Sequence, residues 1–237
     1  MTALLGEAPG AGMQPTSPQP SLTTMSDAQT ARAIQILTTE HFTLQGARAN
    51  TVSETNGRIA IFLGMVSSTL IALAFVGQIA SLGLAFQVFT LILLPTVLFL
   101  GVATFGRVLE SSIEDYFYLG GINRIHHFYA EVVPEVRTYF VLSPYDDWRG
   151  RMRSMGVAPS RWQILLTATA VVGVINSIIA GALLGVLASW LLLWTIPLCA
   201  LGGVVGFGVS EILHARWALS GWARFGKTAR PLFPTPH

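Results

Sequence analysis

Charge is what this sequence has least of. Of its 237 residues, 11% are Asp, Glu, Lys or Arg and 52% are hydrophobic, where a soluble domain carries about 25% charged residues. That shortfall excludes a disordered chain and an ordinary soluble fold. Cysteine is nearly missing too: the lone Cys199 leaves no disulfide within the chain and reads as a small buried packing residue. Motifs of soluble chemistry are lacking. There is no GxxxxGK[ST] phosphate loop and no GxSxG nucleophile elbow. Gly202, Gly203, Gly206 and Gly208 lie inside an apolar run, where they serve helix packing and where no dinucleotide could reach. Met1 to Leu37 has no basic-then-apolar leader, its first Arg being Arg32, so no export signal is expected. Neither an enzyme nor a bound cofactor is expected from these absences.

What is there comes in blocks. No charge falls between Arg58 and Arg107, and none between Arg161 and Glu211. A membrane span needs roughly 20 apolar residues, and either block drawn out as one helix would run roughly 70 Å, about twice the hydrocarbon core. Each block must therefore fold back. Gly77, Gln78, Ser81 and Gly83 mark the first turn, giving spans of Ile59 to Ile79 and Leu84 to Phe105. In the second block Ala188, Ser189 and Trp190 are the only plausible hinge, between spans of Gln163 to Leu187 and Trp190 to Ser210. The fold class is thus an all-α membrane protein, with four transmembrane helices as two hairpins and a cytoplasmic helical layer between helices two and three. In outline, 1–26 is a disordered arm, 27–58 a helical stalk and 59–105 the first hairpin. Then come a cytoplasmic helical segment at 106–161, the second hairpin at 162–210, and an interfacial helix and tail at 211–237.

Every basic residue falls in the N-terminal arm, in 107–161 or after Glu211. Two spans separate each pair of segments, so all three share a side, which the positive-inside rule makes the cytoplasm. The expected location is the cell membrane, with both termini inside. The arm is rich in Pro, Gly, Ser and Thr and has little to bury. The stalk repeats apolar residues at Ile34, Leu37, Leu44 and Val52 with a helical period, and its Glu54 and Arg58 are placed for an i, i+4 ion pair. The middle segment balances seven acids against seven bases, so no nucleic-acid partner is expected. Gly120-Gly121 is expected to break a helix there, Pro134 to sit near the start of another, and Ser143-Pro144 to cap a third that Gly156 and Pro159 end. Its aromatic density suits either a packed layer or contact with a cytoplasmic protein partner. The Trp and Arg residues of the tail suit a helix leaving the bilayer.

Metal-ligating residue types occur as His126, His127 and Glu131, and as Glu211 with His214, with Glu110 and Glu114 able to complete a site on paper. A di-metal bundle site needs two Glu-x-x-His motifs and only one is present, so no metal is expected. Within the spans the polar candidates for a pore are Asn176, Ser67, Thr69 and Gln78. Asn176 is the strongest, about 20 Å into helix three at about 1.5 Å per residue. Its amide either makes an interhelical hydrogen bond or faces a watery path. Gly173, Ser177, Gly181 and Gly185 on helix three, and Ala60, Gly64, Ser68 and Ala72 on helix one, form small-residue stripes that allow close helix packing. Pro95 and Pro197 are candidate kinks in helices two and four.

Residues Ser53 to Ala60, leading into a span, resemble the acid-then-base approach to the first helix of small bacterial membrane effectors linked to nucleotide-signal defence. The order of hairpin, cytoplasmic helices and hairpin is similar to that of the bestrophin channels, without their motifs. The whole chain resembles four-span proteins of actinobacteria, a likeness that implies no activity. The function expected is a homo-oligomeric channel or pore-forming protein gated from the cytoplasm, its partners being the lipid bilayer and further copies of itself. The alternative is a membrane anchor or scaffold that recruits a cytoplasmic partner without transport.

Overall fold

The computed structural model describes residues 25–156, 166–191 and 195–236. Among these, all regular structure is helical: α1 (Asp27–Ile79), α2 (Leu84–Val132), a 3-10 helix (Pro134–Tyr139), α3 (Trp148–Ser154), α4 (Ala168–Leu191) and α5 (Ile196–Thr228). Helices α1, α2, α4 and α5 are each long and apolar enough to cross a membrane, which makes the chain a multi-pass membrane protein. The arm expected to be disordered falls almost wholly outside the described residues, as do Pro159 and the first residues of the expected third span.

Helix α1 starts at a reciprocal cap. Ser26 Oγ accepts from the Gln29 amide and Gln29 Oε1 from the Ser26 amide, closing two of the donors that a helix start leaves open. From there α1 runs unbroken for 53 residues, so stalk and span are one rod. Helix α2 is likewise continuous for 49 residues, and this corrects the break expected at Gly120-Gly121. Those glycines serve approach rather than termination. A Cβ on Gly120 would stand 2.7 Å from the Arg151 guanidinium carbon, and one on Gly121 3.0 Å from Leu44 of α1. Two further boundaries move. Helix α3 is capped by Asp147, whose side chain accepts from the Gly150 amide, rather than by Ser143-Pro144. Ala188, Ser189 and Trp190 lie within α4, and α5 opens at Ile196 with Pro197 in its first turn. Pro197 therefore starts a helix, where its missing N–H costs nothing, and does not kink one. Pro95 does sit inside α2. The first turn falls where expected, between Ile79 and Leu84, although its left-handed residues are Ser81 (φ 48°) and Leu82 (φ 58°) rather than a glycine.

Helices α1 and α2 run antiparallel. Thr38 Oγ1 meets Tyr129 Oη at 3.1 Å, Arg48 clamps Asp115 with two bonds of 2.8 and 3.1 Å, and Arg107 reaches Glu54 at 3.3 Å. The Glu54–Arg58 pair is present at 2.9 Å. Helix α2 also packs on α4, and α4 on α5, around a core of Phe62, Leu94, Val97, Phe105, Leu109, Val172 and Ile179. Helices α4 and α5 meet through glycine. A Cβ at Gly181 would lie 2.6 Å from the Gly203 carbonyl oxygen, and one at Gly185 3.3 Å from that of Cys199. The stripe on α4 is thus consumed within the chain. On α1 the opposite holds: Ala60, Gly64 and Ser68 are exposed, and nothing lies near Gly64.

This contrast sets the cost of substitution. Gly181→Val drives a branched side chain into α5 backbone, which cannot swing aside, and should destabilise by about 2–4 kcal/mol. Gly226→Ala on α5, where the added methyl meets open space, should be neutral or gain up to about 1 kcal/mol from helix propensity. Unfolding midpoints in detergent measure both; equal shifts would contradict the packing described.

Candidate functional site

One cluster of polar side chains in the apolar half lies where α2, α4 and α5 meet. Asn176 and Ser177 of α4 are fully buried and His214 of α5 nearly so. His214 Nδ1 stands 2.8 Å from the carbonyl of Ser210, so Nδ1 carries the proton and donates. That leaves Nε2 as acceptor for the Asn176 amide at 3.4 Å. Ser177 Oγ lies 2.9 Å from the Gly173 carbonyl, 3.2 Å from Ser210 Oγ and 3.0 Å from Glu211 Oε2. One hydroxyl proton serves only one of these acceptors, and the carboxylate is the strongest. The cluster joins the two helices through Asn176, His214, Ser210, Ser177 and Glu211.

Asn176 Oδ1 has no hydrogen-bond partner, and the reason is a glycine on α2. A Cβ built on Gly101 would stand 1.8 Å from that oxygen and 2.9 Å from the Phe62 ring, so the amide oxygen fills the notch that Gly101 leaves. Phe105 closes the other side, edge-on to His214 at 4.6 Å between centroids. Asn176 therefore faces neither lipid nor water within the chain. Because α4 begins at Ala168, it lies about 12 Å along the helix at about 1.5 Å per residue, closer to the charged end than the sequence suggested. The imidazole base is occupied by the Asn176 amide and its proton by a carbonyl, so neither nitrogen is free to activate a nucleophile here.

The structure does not bring the four pore candidates together. Asn176 is enclosed, and Thr69 is half-buried on α1. Ser67 and Gln78 are exposed and share one face of α1, about three turns apart. The metal-type residues disperse as well. His127 pairs with Glu131 at 3.2 Å, Glu110 with Arg107 at 2.7 Å, and Glu211 with Ser177. Among the described residues no three His, Cys, Asp or Glu side chains come together in a way that could hold a metal ion.

A second cluster, at the charged end, holds residues that sequence reasoning missed. Asp146 is fully buried. Its carboxylate accepts from Arg124 Nε at 2.6 Å and from the amides of Leu232 and Phe233 at 3.0 and 2.8 Å, and its own amide donates to the Phe233 carbonyl. Thr235 Oγ1 adds a bond to Asp147 Oδ1 at 2.7 Å, and His127 stacks on Phe233 at 3.9 Å. Residues 230–235 are thus strapped across the helices. Arg151 is buried beneath, donating to the Asp146 and Tyr116 carbonyls with its guanidinium 4.6 Å from the centre of the Tyr116 ring. Burial pulls the Arg151 pKa down, opposed by Tyr116 and Asp146. Burial pushes the Asp147 carboxyl up, yet bonds from Thr235 and the Gly150 amide outweigh it and leave the group below its usual value. The available signal was the pair Asp146-Asp147 three residues ahead of Gly150, an Asp cap concealed by the stronger-looking Ser143-Pro144.

No protein-family model, curated protein or solved structure matches the chain, so no activity carries over from a relative.

If Gly101 and Asn176 form a lock, their effects are coupled. Gly101→Ala should destabilise by about 2–4 kcal/mol and Asn176→Ala by about 1 kcal/mol. The double variant should lose clearly less than the sum, since removing the amide vacates the notch. Thermal unfolding of the four proteins in one detergent measures the coupling, and strict additivity would dissolve the lock.

Proposed function

We propose that the protein is a homo-oligomeric channel of the cell membrane, without enzymatic activity, built of two transmembrane hairpins with both termini and the helices between them in the cytoplasm. The clustering of all basic residues at one end supports the orientation. The observation that carries the oligomer is the outer face of α1. Gly46, Asn50, Ser53, Gly57, Ala60 and Gly64 recur at alternating steps of four and three residues, and all are exposed. This face lies opposite the side that α1 buries on α2, and Gly46, Gly57 and Gly64 have open space before them. It crosses from the charged half of the rod into the apolar half. Lipid suits only one part of it and water only the other, whereas a neighbouring helix suits both.

Copies arranged about a central axis, the usual closure for identical subunits, would turn this face inward. Ser67 and Gln78 then supply polar levels, with Ile71 and Phe75, both exposed on the same face, as the hydrophobic constriction between them. Asn176 stays within each subunit as a packing lock. The anchor reading is favoured by a different observation: Tyr139 and Val141 are 81% and 92% exposed at the charged end, where apolar surface awaits a partner.

Reconstituted protein separates the two. Ile71→Ser should raise ion flux into liposomes on the order of tenfold, corresponding to about 1.4 kcal/mol off the barrier. In a Cys199→Ala background, cysteine at Ser81 should react with an impermeant thiol reagent on intact cells and cysteine at Ala31 should not. Monomeric particles without flux in either form, holding a soluble partner in stoichiometric amount, would replace the channel with the anchor.

A further inference from the structure

The charged ends of α1 and α2 are joined by a stack of rings whose composition is unusual. His41 of α1 lies over His126 of α2 with centroids 5.3 Å apart and planes 19° from parallel. Phe140, from the segment after the 3-10 helix, lies over the other face of His126 at 4.6 Å and 13°. Phe42 meets His41 edge-on. Both imidazoles keep Nδ1 buried without a hydrogen-bond partner, and His126 is itself a buried residue.

Two stacked imidazoles tolerate this arrangement only when neutral. A second proton on either ring would place an N–H donor where no acceptor stands and bring like charges face to face. Neither ring is offset by a carboxylate. Facing His41 are His126, Phe42 and, through a 3.4 Å contact, the Gln45 amide. Facing His126 are His41, Phe140 and the Leu142 backbone. The titratable neighbours are engaged elsewhere: His127 with Glu131 and Phe233, and Arg137 with Tyr145. Glu40 is exposed. Beside the stack a cavity of about 360 Å³, lined by Ile34, Thr38, Phe42, Tyr129 and Val136 among others, leaves room for the rings to part. Among the described residues, the one side-chain hydrogen bond that ties α1 to α2 between Arg48–Asp115 and the start of α1 is Thr38–Tyr129.

We propose that the His41–His126–Phe140 stack is a proton-operated clasp: closed while both imidazoles are neutral, and opened by acidification so that the first turns of α1 separate from α2. Burial lowers the pKa of both rings, with His41 a further cause for His126. A lowered histidine pKa means that the unfolded or opened state binds more protons, so closure is fully favoured above the ordinary value near 6.5 and is lost as pH falls below it. That the clasp governs conduction rests on the channel reading above; the clasp itself does not.

The test uses the full-length chain in lipid nanodiscs, in a Cys199→Ala background, with nitroxide labels on cysteines at Gln35 and Ala130 and a reference pair at Ala60 and Phe99. Between about pH 8 and about pH 5, on either side of the ordinary histidine value, the first pair should separate by roughly 5 Å, the scale of a one-turn helix displacement, while the reference pair holds still. His126→Phe keeps the stack without the charge and should abolish the separation; His41→Phe should do the same and serves if the first variant fails to fold. An unchanged distance in the parent, or an equal separation in the Phe variants, overturns the clasp. A pH-dependent distance with a flux that does not follow pH upholds the clasp and separates it from conduction, whereas no flux at either pH removes the channel reading and leaves the clasp standing.

Discussion

Helices immersed in hydrocarbon gain nothing by being apolar, since lipid chains are as apolar as leucine; they associate to the extent that their backbones can approach and their polar groups can find one another. Several contacts between the described elements follow that limit. Gly181 faces the α5 backbone, Gly101 accepts the Asn176 amide oxygen, Gly106 lies against the Trp217 ring, and Gly120 receives the Arg151 guanidinium. Along the outer face of α1 the small residues Gly46, Gly57 and Gly64 have nothing within 4 Å, and the proposed oligomer rests on that face.

The spans were readable because their signal is one of exclusion. Uncharged blocks too long for one crossing must fold back once and cross twice, and Gly77 to Gly83 is poor helix. Element ends within the charged half were misread for a consistent reason. Gly120-Gly121 and Ser143-Pro144 have the local chemistry of a stop and a start, but tertiary partners decide the outcome. The glycine pair is worth more as a cradle for Arg151 and Leu44 than it costs in helix propensity, about 1 kcal/mol per glycine. Asp147 wins the cap because Asp146 beside it is already fixed by Arg124 and the tail.

Asn176 stood out in the sequence as a polar group within an apolar run that needs a partner, yet the partner could not be read there. The glycine that accommodates it lies 75 positions earlier on another helix, and the imidazole that accepts from it 38 positions later. His41 escaped notice, and His126 was weighed only as a metal-ligating residue type, for the same reason. Each is unremarkable on its own helix, and only the antiparallel pairing of α1 with α2 places one ring over the other.

The burial of Asp146 has a consequence in time. Two of its donors, the amides of Leu232 and Phe233, stand 86 and 87 residues later in the chain. At synthesis rates of about 5–20 residues per second they emerge roughly 4–17 s after it. Through that interval α2 and α3 exist without the strap, and the Asp146 carboxylate lacks two of the donors that hold it when buried. The Asp146 end is thus closed only after α4 and α5, which lie between Asp146 and Leu232 in the chain, have been made. Closure of this end therefore requires that α4 and α5 return residues 232–235 to Asp146 and Asp147.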